Sequence, residues 1–354
     1  MCLENSSVKP EEKTLRKALA SAVILVSLAF LSSIFLAKVE ANAVSYSILY
    51  AGGHNPGIVY RYNNGRWEAI SPVLGYAVLD LIEYRGHLYA AVTTGFGGYS
   101  GVGRVYRYDG GGRWTLVGDG LDHAVISLAV YKGELYAGTG RGAFRLYKYT
   151  PGKTNCGIMN WTRVVDYPWN GVRTLYVSRG YLLMGDSLYD RIGRWDGSKF
   201  FVDLDDWGSC IYDFQEFGCC VYAAAYDGRL WRSPDAVTWS LALGYYDGNM
   251  WKLEVFQGKL FMAYNNGELR AYNGTGDLRG TLIFQAPDGI ISMATDGKYL
   301  YFGTGADAVG YGAESTGIAN VYRYDGKNVV LISGYDQFGE GVQVLYVSYA
   351  LPRG

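Results

Sequence analysis

One phrase recurs along this chain: an apolar Leu-Tyr step, a run of small residues, Val-Tyr-Arg-Tyr, an Asn/Asp-Gly turn and a Trp. It stands as ILYAGG and IVYRYNNGRWEAI between Ile48 and Ile70, and returns at His87 to Val117, Glu134 to Val165 and Tyr299 to Ile332. Repetition at this period signals units none of which can bury its apolar face alone, so the fold must be stacked or radial. The second residue of the Leu-Tyr step marks the units: Tyr50, Tyr89, Tyr136, Leu183, Tyr222, Phe261 and Tyr301, at spacings of 39, 47, 47, 39, 39 and 40.

Each unit reads as four short strands. An apolar leading run such as Val125 to Tyr131 is followed by a Gly turn, the Leu-Tyr strand, the Tyr-Arg-Tyr strand and a Trp strand. A four-stranded unit of about 40 to 45 residues is a propeller blade, so the markers predict an all-β, seven-bladed β-propeller. The first unit lacks its leading strand, while the chain finishes with an orphan one, GVQVLYVSYA (Gly341 to Ala350), which matches AVISLAVYKG and GIISMATDGK. That last strand is predicted to pair with the first unit and close the ring. An open β-solenoid would show a more constant period and capping ends, and the sequence has neither.

Over residues 48–67 the chain resembles a kelch repeat: an apolar strand ending in Gly52-Gly53, then Tyr62 and Trp67 in that family's order. The double Gly becomes Ala90-Ala91, Gly138-Thr139 and Gly303-Thr304 elsewhere, so the likeness extends loosely over the other units. The resemblance implies a propeller, usually with a binding role and in a minority an oxidase activity. Arg232 to Trp239, RSPDAVTW, is similar to a shortened Asp-box turn of sialidase-type propellers, against the plainer reading of a β-turn.

Ala18 to Ala37 is an uncharged apolar run preceded by Lys9, Lys13, Arg16 and Lys17, the pattern of an export or anchoring helix. Ala41 to Ala43 supplies a small-x-small site, so residues 1–43 are expected to be a signal peptide cleaved after Ala43 or a signal anchor, and 44–354 the propeller. The expected location is extracellular or cell-surface, with membrane contact through the N-terminal segment if it is retained. Cys156, Cys210, Cys219 and Cys220 remain in the exported part, with no C-x-x-C spacing for zinc, and a local bridge from Cys210 to Cys219 or Cys220 is not expected. Asn160-Trp161-Thr162 and Asn273-Gly274-Thr275 are candidate glycosylation sites, both expected in or beside turns.

A formal net charge of −1 gives no basic field for nucleic acid. His54, His87 and His123 fall in different units without metal-ligand spacing, and no G-x-S-x-G, Walker-type loop or H-E-x-x-H occurs. The long loops expected between second and third strands, Gly52 to Gly57, Thr93 to Gly103 and Gly305 to Ala319, belong to units that closure makes neighbours, and suggest a binding wall. The blade-linking segments expected on the same face are acidic and aromatic. They bring Asp122, Asp166, Asp206, Asp247, Asp288 and Asp336 together with Trp169, Trp207, Tyr246 and Tyr335. Each Asp beside a Gly suits its own turn; collectively, carboxylates among aromatic rings suit carbohydrate, and the same oxygens suit calcium. No other cofactor is expected. Asp80 with Glu83, and Asp213 with Glu216, are spaced to face opposite sides of a strand, and Arg173 is the one Arg in a leading run, so glycoside chemistry is the weaker reading. The expected function is a binding module for a glycan or protein ligand through the loop-rich face, with a subunit of a surface layer or filament as the alternative and a glycoside-active enzyme as a second.

Overall fold

Two-residue turns punctuate the apolar runs and set where strands reverse. Lys132-Gly133 is typical: both residues have positive φ, 50° and 73°, the left-handed pair that a type I′ hairpin requires, which is why Gly takes the second place. The computed structural model describes residues 46–96, 100–140, 142–155, 157–246, 248–307, 317–334 and 337–350. Ile48–Ser348 forms one compact unit. Residues 18–37, Ala43, Cys156, Asp247, Tyr335 and Asp336 lie outside the described residues.

The chain opens with β1 (Tyr46–Gly57), β2 (Val59–Asn63) and β3 (Arg66–Ala69), followed by β4 (Gly75–Tyr84), β5 (His87–Thr93), β6 (Gly103–Gly110) and β7 (Arg113–Asp119). Next come β8 (Ala124–Tyr131), β9 (Glu134–Gly140), β10 (Phe144–Asn155) and β11 (Ile158–Tyr167), then β12 (Val172–Ser178), β13 (Tyr181–Asp186), β14 (Asp190–Trp195) and β15 (Phe200–Asp206). They are succeeded by β16 (Ile211–Phe217), β17 (Cys220–Ala225), β18 (Leu230–Ser233) and β19 (Ser240–Leu243), and by β20 (Met250–Phe256), β21 (Lys259–Tyr264), β22 (Glu268–Tyr272) and β23 (Thr281–Gln285). The last are β24 (Ile290–Thr295), β25 (Leu300–Thr304), β26 (Val321–Tyr324), β27 (Val329–Leu331) and β28 (Gly341–Ala350).

Each successive set of four from β8 to β27 is one antiparallel sheet. The first seven strands join into an eight-stranded sheet in which β28 pairs with β1, and its two halves meet at Gly57 opposite Gly75. The terminal pairing expected from the orphan strand is therefore present. One expectation needs correction: Gly52 to Gly57 is not a loop but the continuation of β1, and Gly53 N–H donates to Ile58 C=O (2.9 Å) to close a tight reversal into β2. Gly52 is needed for the close approach: a Cβ there would meet Val344 at 2.7 Å and Val78 at 2.8 Å.

Apolar side chains are buried between consecutive sheets. Tyr84, Tyr89 and Val105 pack on Leu128, Tyr147 and Trp161; at the junction of the chain ends, Tyr301 and Val321 pack on Leu49, Tyr60 and Leu345. The repeated Trp explains itself here. Trp67 Nε1 donates to Ile332 C=O (3.1 Å), Trp114 Nε1 to Ile70 C=O (2.9 Å) and Trp161 Nε1 to Val117 C=O (3.0 Å). Each indole fills the gap between one four-stranded unit and the preceding one and satisfies its N–H on the latter, joining area burial to a directed bond.

Candidate functional site

Strands β4, β8, β12, β16, β20, β24 and β28 contribute to the wall of one cavity of about 420 Å³, within the range of roughly 300–1,000 Å³ usual for small-ligand sites. A β-bulge recurs near the start of six of them, between Val78/Asp80, Val125/Ser127, Val172/Thr174, Ile211/Asp213, Met250/Lys252 and Ile290/Ser292. A bulge adds an unpaired residue and re-aims side chains. The inserted residues, Arg173, Tyr212 and Trp251 among them, all line the cavity.

At this first layer Arg173 donates to Asp307 Oδ2 (2.6 Å), and Tyr212 O–H donates to the same oxygen (3.0 Å). The guanidinium lies over the Tyr212 ring (4.1 Å to its centre), and Trp251 stacks on Tyr212 at 6.1 Å and 18°. Both charged side chains are nearly enclosed, 12% and 7% exposed. Burial pushes the Tyr212 hydroxyl well up, so it stays protonated and a donor.

The next layer binds the sheets together. Asp80 accepts from its neighbour Leu81 N–H (2.8 Å) and from Leu128 N–H on β8 (2.7 Å). Asp213 accepts from Leu253 N–H on β20 (3.0 Å), and Ser292 Oγ donates to Val342 C=O on β28 (2.7 Å). Lys252 Nζ stands 3.7 Å from Asp213. Burial pushes Asp80 up to about 6 despite those two N–H donors, with the Asp213 charge adding to the rise. Burial likewise raises Glu254, deeper on β20, to about 7, opposed by Val255 N–H and assisted by Asp213.

A carboxyl raised on folding binds protons more tightly in the native than in the unfolded state, so its contribution is fully present below the unfolded value near 4 and is lost as pH rises through 6 to 7. The structure accordingly predicts that stability declines from pH 5 to pH 8, by about 1–3 kcal/mol in total. Urea unfolding across that range checks it, and a midpoint rising with pH would contradict it.

The mouth of the cavity is held by segments remote in sequence. Ala306 C=O, next to Asp307, accepts from Gln343 Nε2 (2.5 Å) and lies 3.2 Å from His54 Nδ1. Asn55 Nδ2 donates to Glu340 Oε1 (2.8 Å). His54 meets Tyr76 edge-on at 5.0 Å, and Tyr76 meets Phe96 at 5.9 Å. These contacts link His54 to Ala306 directly and to Phe96 through Tyr76; residues 97–99 and 308–316 of the other two expected loops lie outside the described residues.

The linker residues divide differently. Asp122 is bound inward, accepting from Thr139 Oγ1 (2.5 Å), Tyr147 O–H (3.2 Å) and the Arg145 guanidinium. Asp288 is buried and accepts from Gly289 N–H (2.7 Å) and Ile318 N–H (2.9 Å). Trp169 is a core residue against Phe144 (5.0 Å) and Tyr167 (5.1 Å). Asp166 pairs with Arg163 (2.9 Å) and Arg145 (3.2 Å). Asp206 accepts from Trp207 N–H (2.7 Å), while Trp207, 77% exposed, meets Tyr189 edge-on at 5.3 Å. Tyr246 O–H donates to Glu268 (3.2 Å) and its ring packs on Tyr264 (5.3 Å). None of these residues lines the axial cavity.

Glu83 and Glu216 turn away from it, accepting from Ser348 Oγ (2.6 Å) and Ser178 Oγ (2.5 Å). The cavity instead unites Asp80 of β4, Asp213 of β16, and Lys252 and Glu254 of β20 with Asp307. Sequence reasoning missed Lys252, Glu254 and Asp307; the signal within reach for Lys252 was the polar residue recurring in the leading runs, at Asp80, Ser127, Thr174, Asp213 and Ser292. Asp235 accepts from Val237 N–H (2.9 Å) and Thr238 N–H (2.7 Å), the bonds of a turn. Asn160 sits inside β11 rather than beside a turn, with its amide bonded to Gly152 N–H (2.9 Å) and Val117 C=O (3.4 Å), whereas Asn273 is exposed at a strand end. The described cysteines are free: Cys210 is buried, and the sulfurs of Cys219 and Cys220 are 3.5 Å apart.

No family model and no curated protein matches the sequence. Solved structures do. A computationally designed protein, Ika8, is 16% identical with a TM-score of 0.52, over 87% of this chain and 95% of that one. The WD40 β-propeller domain of Doa1 is 14% identical with a TM-score of 0.51, over 72% and 82%. A proposed 6-phosphogluconolactonase from Bacteroides fragilis is 13% identical with a TM-score of 0.58, over 87% and 99%. Repeated four-stranded antiparallel sheets with these neighbours make the fold a β-propeller. At such identities the likeness concerns fold alone.

Proposed function

We propose that this is an exported, cell-surface or secreted, seven-bladed propeller of kelch-like repeat that binds a glycan at the loop-rich mouth of its axial cavity. The blade count is supported by the leading strands that share the cavity wall and by β28, which completes the set begun by β1 to β3. Export is supported by the apolar run at 18–37 and the small-x-small site ending at Ala43. The observation that carries the binding reading is the cavity itself: aromatic faces, Tyr212 and Trp251, stand beside hydrogen-bonding carboxylates in an enclosed space of about 420 Å³. Rings that stack on sugar C–H surfaces and acceptors for hydroxyls are what a carbohydrate requires.

A glycan array probed with the purified chain tests this. Tyr212→Phe, which removes one donor at the mouth while keeping the ring, is expected to weaken binding about tenfold. Trp207→Ala, on the outer face, is expected to change it less than twofold. The reverse ranking would move the site to the linker segments, and no glycan binding with turnover of a glycoside would replace the reading with an enzymatic one.

A further inference from the structure

The chain carries the same three-residue pattern twice, Asn160-Trp161-Thr162 and Asn273-Gly274-Thr275, and the fold treats the two copies oppositely. In the first, every member is committed to packing. Asn160 takes a φ of 66°, a left-handed conformation that Asn tolerates better than most residues, and its side-chain amide bridges Gly152 N–H (2.9 Å) and Val117 C=O (3.4 Å). Trp161 is fully buried and donates to that same carbonyl (3.0 Å). Thr162 Oγ1 is held by Thr150 Oγ1 across from β10 (2.8 Å). A bulky group on Asn160 Nδ2 would have to enter the junction of β11 with β7, where two side chains already share one carbonyl.

The second copy is open. Asn273, Gly274 and Thr275 follow β22 directly and are all exposed, and Gly274 supplies the positive φ of 95° that the reversal needs. Thr275 donates twice to Asn273 Oδ1, from its backbone N–H (3.0 Å) and from its hydroxyl (3.1 Å), forming an Asx turn. Nδ2 is left with no hydrogen-bond partner among the described residues. Hydrogen bonds to an amide oxygen draw electron density from the nitrogen and make its N–H more acidic, so the turn prepares the very atom it exposes. A recess of about 330 Å³ with Asn273 and Thr275 on its wall, beside Lys259, Tyr272 and Ile283, leaves room for a first sugar ring. In a four-stranded meander the third-to-fourth turn shares its end of the sheet with the first-to-second turn, and Tyr272 accordingly meets Phe217 of the β16–β17 turn edge-on at 5.9 Å. That end is opposite the mouth of the axial cavity.

From this contrast we infer that Asn273, and not Asn160, accepts an N-linked glycan when the chain is exported. The inference rests on the export reading and adds a modification site to it. Asn273 Nδ2 forms a bond to C1 of the first sugar of a polyprenyl-phosphate-linked oligosaccharide; the C1–O bond to phosphate breaks, the lipid phosphate leaves with its electron pair, and one Nδ2 proton passes to solvent. No packing contact or hydrogen bond of the turn is lost, because its bonds are made to Oδ1. The same transfer at Asn160 of an unfolded chain would hinder the docking of β11 on β7, so the molecules that fold carry their sugar at Asn273, on the end of the propeller away from the binding mouth.

The folded full-length chain, kept in mild detergent for its apolar N-terminal run, is incubated with a single-subunit oligosaccharyltransferase that reads Asn-x-Thr alone and with its lipid-linked donor. Free peptides of residues 157–166 and 268–279 serve as unfolded references, and mass spectrometry of the digested chain locates the sugar. Asn273 in the folded chain is expected to react within about threefold of its peptide, and Asn160 at least about tenfold more slowly than its own, the ratio that an opening cost of about 1.4 kcal/mol imposes. Thr275→Ala is expected to abolish transfer at Asn273, and Thr275→Ser to retain it. Asn160 reacting in the folded chain as fast as in its peptide would overturn the inference, as would an Asn273 that stays bare while its peptide reacts, or an inert 268–279 peptide. In a second arm the full chain is expressed in a cultured eukaryotic cell, where it is expected to carry one oligosaccharide removable by peptide:N-glycosidase and absent from Asn273→Gln. A chain left bare in the cell, yet modified at Asn273 by the purified enzyme, would remove the export reading and leave the acceptor assignment standing.

Discussion

A chain ending at Glu340, without β28, is expected to lose cooperative folding altogether. Val342, Leu345 and Val347 are 0%, 5% and 9% exposed and pack with Tyr60, Tyr301 and Phe338. At about 1.5–3 kcal/mol for each buried aliphatic side chain, their removal costs roughly 5–9 kcal/mol, comparable with the whole stability of about 5–15 kcal/mol of an ordinary domain. Directed bonds go with them: Ser292 Oγ to Val342 C=O, Glu83 N–H to Tyr346 O–H and Ser348 Oγ to Glu83. The truncation also bares the edge of β1, a template for aggregation. Size-exclusion and thermal melts of the truncated chain should show aggregates or a non-cooperative transition, and adding the peptide of residues 341–350 should restore part of the cooperative melt. A truncated chain that melts sharply within a few degrees of the full one would refute the view that the last strand completes the first sheet.

That strand was readable because its signal is local and repeated. An apolar run matching the other leading strands, at the end of a chain whose first unit lacks one, has a single economical use. The same logic made the Trp positions legible, though not their task of bonding the preceding sheet's carbonyl. What could not be read is where strand periodicity breaks. The two-residue alternation says nothing of a bulge, and three of the six bulges decide that Arg173, Tyr212 and Trp251 face inward. Nor does spacing reveal that Asp307 lies beside an Arg 134 positions away. The linker carboxylates illustrate the converse: Asp122 and Asp288 recur at equivalent places because each ties down its own connection, Asp122 through Arg145 and Thr139, Asp288 through Gly289 and Ile318. A recurring residue in a repeat protein reports first on what every unit needs. The residues that differ between units, Arg173 against Ile126 or Lys252 against Ser292, are where a site can be built.

Replacing Arg173 with Met should therefore be far more damaging than its single position suggests. The side chain's volume is roughly kept, but Asp307, 7% exposed, loses the guanidinium that bonds it at 2.6 Å. Breaking a buried pair from one side costs about 3–5 kcal/mol because the remaining charge is stranded, which corresponds to a drop in Tm of roughly 10 °C. If stranded charge is the cause, Arg173→Met combined with Asp307→Asn should recover most of the loss, since a neutral amide needs no cation. The defect should also depend on pH. Loss of a cation 2.6 Å from a nearly enclosed carboxylate favours that group's neutral form, so the single variant's deficit relative to the parent is expected to shrink as pH falls. Urea unfolding of the parent, the single variant and the double variant at pH 5 and pH 8 separates the terms. A single and a double variant of equal stability at pH 8, or a defect that does not shrink at pH 5, would show that packing around Tyr212, and not charge pairing, holds the mouth of the cavity together.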